Sequence, residues 1–164
     1  LATGPLFLML VAILKCQTVS CLRIRQILDE ILLPWLSPCR LVDLILLATL
    51  AGVAEELLFR AFLQSLFTDH VGATAGLVLA SLLFGVAHWI TPGYAVLASI
   101  AGFYLGTVWI MTDGNTLAVI IAHGLYDLVA LIVLLHRYRA GPGCVDSDNT
   151  ITGDVRSTSH LNGR

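Results

Sequence analysis

The chain has 164 residues, of which 57% are hydrophobic and only 12% charged, with a formal net charge of -2 and a mean hydropathy of +0.88. Soluble domains carry about 25% charged residues, so this composition excludes an ordinary soluble globule and predicts an integral membrane protein. No basic tract and no interleaving of basic with aromatic residues points to nucleic acid as a partner. Residues 1–14 open an apolar run that Lys15 closes, where a snorkelling flank belongs, so a partial transmembrane helix is expected rather than a signal-like segment.

Residues 15–40 read as a linker. In CLRIRQILDEILLPWL, Leu22, Ile27, Leu28 and Ile31 gather near one face, with Arg23, Arg25, Asp29 and Glu30 elsewhere. That pattern predicts either a short interfacial amphipathic helix, with Trp35 at headgroup depth, or an ordinary connecting helix. Pro34 and Pro38 are expected to break the chain before the next span.

Four apolar runs follow. Leu41–Phe67 ends in Thr68-Asp69-His70, and Val71–Ile90 ends in Thr91-Pro92-Gly93. Tyr94–Met111 ends in Thr112-Asp113-Gly114-Asn115, and Thr116–Leu135 ends in His136-Arg137-Tyr138-Arg139. The resulting expectation is an all-α, polytopic transmembrane helical bundle with about five spans in 1–136, its core at 41–136. A polar, disordered tail is expected at 137–164. Short connections make successive helices antiparallel neighbours. Lys15, Arg23, Arg25, Arg40, Arg137 and Arg139 then share one side, while Asp69 and Asp113 lie on the other, which puts the linker and tail on the cytoplasmic or stromal side. Small residues mark candidate helix contacts, among them Gly102 and Gly106 in a G-x-x-x-G spacing.

The chemistry concentrates in three places. AGVAEELLFRAF, at 51–62, puts Glu55, Glu56 and Arg60 inside an apolar run. An ionised group in mid-bilayer costs roughly 2.5–3.5 kcal/mol, so three of them call for a purpose. Glu56 and Arg60 share a helix face and can pair, which by itself would only lock helix packing. Glu55 points about a third of a turn away and stays free for other work. Phe84 and His88 lie four apart, as do His123 and Asp127, so each pair shares a face. Carboxylates take protons from water, and imidazoles bind a metal or stabilise an oxyanion. No HExxH motif occurs, and Cys16, Cys21, Cys39 and Cys144 show no CxxC spacing.

EELLFR at 55–60, FGVAH at 84–88 and HGLYD at 123–127 follow the patterns EExxxR, FxxxH and HxxxN/D in order. Over about Val42 to Leu135 the chain therefore resembles the CAAX-protease and bacteriocin-processing (CPBP) family of intramembrane proteases, related to CAAX prenyl endopeptidases. The resemblance implies an endopeptidase acting on a membrane-associated or prenylated protein within the lipid bilayer. It implies Glu55 as general base on water with His88 assisting, Glu56 and Arg60 holding the helix, and Phe84 as a positioning residue. His123 and Asp127 would form the oxyanion side or a metal site. Where family members carry Asn, Asp127 adds a third acid, which would favour a cation or require protonation. A zinc ion on His88, His123 and Asp127 is one version of the site; metal-free catalysis by Glu55 and His88 is the version preferred here. The family also holds scaffold and immunity-type members, and AHWITPGYAVLASIAGFYLG is similar to plastid and cyanobacterial ones. An ion-coupled transporter would predict internal repeats, and none is evident.

Depth poses one difficulty. Counted from the run ends, His88 lies near the positive side while Glu55 is about 20 Å in from Leu41 at helical rise. The expected resolution is that the Glu55 helix begins outside the bilayer and the His88 helix continues past its apparent edge.

Overall fold

The computed structural model describes residues 3–140, and among these every regular element is helical. Helix α1 (Gly4–Lys15) is followed by α2 (Val19–Ile27), a wide π-type stretch (Leu28–Leu32) and α3 (Leu33–Leu36). Next come α4 (Leu41–Glu56), a second π-type stretch (Leu57–Gln64) and α5 (Ser65–Val71), which run on without a break. Helices α6 (Ala73–Ala87), α7 (Pro92–Met111) and α8 (Thr116–Ala140) complete the bundle. Helix α6 packs on α7 and α4 on α8, with α1 against α8. One cluster of buried apolar residues joins Leu6, Leu105 and Val119, and a second joins Leu33, Leu44 and Leu135.

Among the described residues only α7 and α8 are both long and apolar enough to cross a membrane, and α1 with α2–α3, bent by 97°, makes a third if the bent pair is one span. The expected count of about five is therefore approximate. The α4–α5 rod has the length but carries charges, and α6, with 15 residues, falls short of the ~20 that a bilayer requires. Helix α8 runs through Ala140, so residues 137–140 of the expected polar tail are helical; the rest of that tail lies outside the described residues.

Two turns fall elsewhere than expected. Thr68-Asp69-His70 stays inside α5, and the chain reverses at Gly72, whose φ of +88° suits a residue without a Cβ. Pro34 does not break the chain but lies at the start of α3, where its missing N–H follows the wide turn. In the linker the inward residues are Ile24, Leu33 and Leu36, whereas Leu22 and Ile31 of the expected apolar face are exposed. Packing chose Ile24 because α2 folds back against α7 and not along a free surface. Arg25 fixes that fold-back, donating to the α1-terminal carbonyls of Leu14 at 2.8 Å and Cys16 at 2.5 Å.

Arg139 at the end of α8 donates to the carbonyls of Ser37 at 2.6 Å and Cys39 at 3.3 Å, just before α4 begins.

Candidate active site

The last turn of α4 delivers Glu55 and Glu56, and the π-type stretch that follows delivers Arg60 and Gln64. Glu56 is 0% exposed and Arg60 2%, with Arg60 Nη1 3.0 Å from Glu56 Oε1. The same carboxylate oxygen accepts a 2.7 Å hydrogen bond from His123 Nδ1–H on α8. Arg60 Nη2 donates to the Gly102 carbonyl at 3.1 Å, and Gln64 Nε2 donates to the Gly106 carbonyl at 3.2 Å. Two donors four residues apart on one helix thus meet two carbonyls four residues apart on α7. Each helix carbonyl has a second lone pair for such a bond. The glycines make the approach possible. A Cβ at position 106 would lie 2.6 Å from Gln64 Oε1 and 2.5 Å from Leu77 Cδ1, and one at 102 would lie 3.2 Å from Phe84 Cβ.

Helix α6 ends at Ala87, and His88 follows as its cap. This corrects the expectation that the His88 helix continues past its apparent edge. The short helix, not a longer one, brings the α6–α7 turn to the depth of Glu55. His88 Nδ1–H donates to the Phe84 carbonyl at 2.8 Å, and the two rings stack with centroids 4.4 Å apart. Phe84 also lies under the Arg60 guanidinium, 4.7 Å from it, and so joins the two motifs.

Glu55 stands on the open side of this assembly. Its Oε2 lies 3.5 Å from His88 Nε2 and 3.9 Å from His123 Nε2. His123 Nε2 lies 3.5 Å from Asp127 Oδ2. Glu55 Oε2 makes no hydrogen bond among the described residues. The Nδ1 of each histidine faces an oxygen that can only accept, Phe84 O or Glu56 Oε1, so each Nδ1 carries the hydrogen. A neutral ring then presents a bare Nε2 to the centre. With both rings neutral the centre is rimmed by four acceptors, two imidazole nitrogens and the carboxylates of Glu55 and Asp127; a protonated ring turns its Nε2 into a donor to those carboxylates. A group that donates hydrogen bonds, such as water, satisfies them.

The structure thus brings Glu55, His88, His123 and Asp127 to one cavity of about 210 Å³, with Phe84 in its wall and Glu56 and Arg60 buried behind it. Tyr94 and Tyr126 also line it. Neither tyrosine nor Gln64 stands out in the sequence as a site residue; for Gln64 the i,i+4 spacing from Arg60, matching Gly102 and Gly106, is the available signal. A second cavity of about 430 Å³ shares Glu55, His88, Tyr94, Tyr126 and Asp127 with the first and continues between Leu10, Ile24, Leu47 and Leu131. Its wall is mainly apolar. The metal set considered from sequence, His88, His123 and Asp127, is not assembled. His88 Nε2 turns to Glu55, and among the described residues no three His, Cys, Asp or Glu side chains stand where they could hold a metal ion.

A model of the Type II CAAX prenyl endopeptidase Rce1-like family matches residues 37–129, a stretch that contains all three motifs and every site residue from Glu55 to Asp127. No curated protein and no solved structure matches the chain. The family match covers more than half of the sequence, and on it the chain belongs to the Type II CAAX prenyl endopeptidase Rce1-like family.

Proposed function

We propose that the chain is an intramembrane endopeptidase that hydrolyses a peptide bond of a membrane-associated or prenylated protein with water activated by Glu55 and His88. The observation that carries this reading is the meeting of Glu55 Oε2 and His88 Nε2, 3.5 Å apart, in the wall of one cavity. A water held beside this pair on its cavity side donates one hydrogen to the carboxylate and the other to the imidazole. As its oxygen attacks the scissile carbonyl carbon, Glu55 takes a proton, which passes to the leaving amide nitrogen when the C–N bond breaks. Glu56, held by Arg60, keeps the His123 ring turned with Nε2 to the centre. The adjoining apolar cavity suits a hydrocarbon substituent, which favours a lipid-modified substrate over a free hydrophilic peptide.

The test is turnover by purified protein in bilayer vesicles against a panel of prenylated and unmodified peptides. Wild type should cleave the prenylated members, and Glu55→Gln should not. A wild type inert towards the whole panel contradicts the enzymatic reading and leaves a membrane scaffold in its place. Because the carboxylate–imidazole pair activates water without a Lewis acid, chelation of the active protein should leave its rate unchanged. Stoichiometric zinc whose removal abolishes turnover, and whose return restores it, would overturn the metal-free version.

A further inference from the structure

We propose that Tyr94 and Tyr126 supply the hydrogen-bond donors that hold the oxyanion formed during hydrolysis, an inference that rests on the endopeptidase reading above. When water adds to the scissile carbonyl, its oxygen becomes an anion that requires donors, and the centre of the site offers acceptors. Glu55 Oε2, Asp127 Oδ2 and the two Nε2 atoms lie 3.5 to 3.9 Å from one another across their contacts. An ionised Asp127 repels the oxyanion, and a proton on His123 Nε2 is already faced by Asp127 and Glu55. Apart from those four residues and the two tyrosines, the 210 Å³ cavity is lined by apolar side chains. The phenols are therefore the side-chain groups in its wall with a permanent O–H.

Their placement fits the task. Tyr94 belongs to the first turn of α7, where its amide is held by Thr91 Oγ1 at 3.1 Å. Tyr126 sits on α8 three residues after His123 and beside Asp127, and its ring rests against Phe7 with centroids 6.0 Å apart. The cap thus sets the Tyr94 backbone and the Phe7 contact sets the Tyr126 ring, while no hydrogen bond joins either hydroxyl to another described residue. Both phenols also line the larger apolar cavity, so they stand where it meets the acceptor cluster. A substrate whose apolar part fills that cavity presents its adjacent peptide carbonyl between donors from two helices.

The experiment uses the full chain in bilayer vesicles and compares Tyr94→Phe and Tyr126→Phe with wild type and Glu55→Gln. Removal of one oxyanion donor lowers kcat by roughly 100-fold or more, and a contact made only in the transition state leaves KM nearly unchanged. Each variant should show that split, together with weaker binding of a peptide phosphonate, whose anionic oxygen mimics the intermediate. Asp127→Asn in the Tyr94→Phe background should restore part of the lost rate, because its amide donates where the carboxylate accepts. Should one variant not fold, the other carries the same test. Unchanged kcat in the phenylalanine variants, or a rise in KM alone, overturns the proposal while an inactive Glu55→Gln leaves the endopeptidase reading standing. A wild type without turnover, or a Glu55→Gln as active as wild type, overturns both.

Discussion

Glu55 and Glu56 are neighbours in the chain and opposites in their surroundings. Glu56 is 0% exposed, its Oε1 held between Arg60 and His123, inside a lattice that runs on through Gly102, Gln64 and Gly106. Glu55 is 27% exposed and lines the cavity, with no arginine paired to it; the Oε2 of both carboxylates makes no hydrogen bond among the described residues. A single residue step turns the helix by about 100°, enough to send one carboxylate into packing and the other into open space. The closed side shows what a buried charge requires, namely a counter-charge and hydrogen bonds that the surrounding helices are shaped to give. The open side has two imidazoles in place of a guanidinium, at 3.5 and 3.9 Å, and a carboxylate that lines a cavity beside an imidazole is what proton abstraction from water needs.

The sharpest way to break this comparison is to remove each charge in turn. Glu55→Gln should lower turnover by about 10²–10⁴-fold, the usual contribution of a general base, while the melting temperature in detergent stays within error of wild type. Glu56→Gln should do the reverse in its first effect. It strands the Arg60 guanidinium in a buried site, a loss of about 3–5 kcal/mol, read as a large drop in melting temperature. Equal destabilisation by both changes would show that the two environments do not differ as described. A smaller effect probes the lattice from the other helix. Gly106→Ala inserts a Cβ 2.6 Å from Gln64 Oε1, so overpacking of about 1–3 kcal/mol is expected, with the Glu55 chemistry intact in the molecules that fold. An unchanged melting temperature would mean that the Leu57–Gln64 stretch and α7 separate freely.

How far the sequence could be read follows the same division. Pairs at i,i+4 on one helix were legible, because helical geometry alone puts Glu56 beside Arg60 and His88 beside Phe84. The convergence of Glu55, His88 and His123 was an inference from the cost of isolated polar groups in lipid, and their distances now bear on it directly. What escaped depended on partners far apart in the chain. Nothing local tells that Gln64 reaches Gly106, 42 residues on, or that His123 bonds Glu56 and not Asp127 through Nδ1. Nor does anything local tell that Ile24 is the residue of α2 turned to the protein interior, because that follows from Arg25 holding α2 across the end of α1. The turn at Gly72 was placed too early because polar Thr68-Asp69-His70 looks like a loop, yet His70 Nδ1 pairs with the Leu66 carbonyl at 2.7 Å within the helix.

The smallest expected effect is also the control for the comparison. Arg139 makes the same kind of bond as Arg60, a guanidinium Nη2 donating to a backbone carbonyl, and its bond to Ser37 O is shorter, 2.6 Å against 3.1 Å. It differs in being exposed, with water ready to replace its partner, and in making no ion pair with a carboxylate among the described residues. If burial rather than bond length sets the worth of these contacts, Arg139→Ala should cost no more than about 0.5–1 kcal/mol. Arg60→Ala should cost several times that, since it leaves Glu56 charged and buried. The two variants can be ranked by thermal unfolding in one detergent. A loss at Arg139 comparable to that at Arg60 would mean that tying the end of α8 to the start of α4 matters as much as the interior lattice, and the contrast between the two regions would lose its energetic basis.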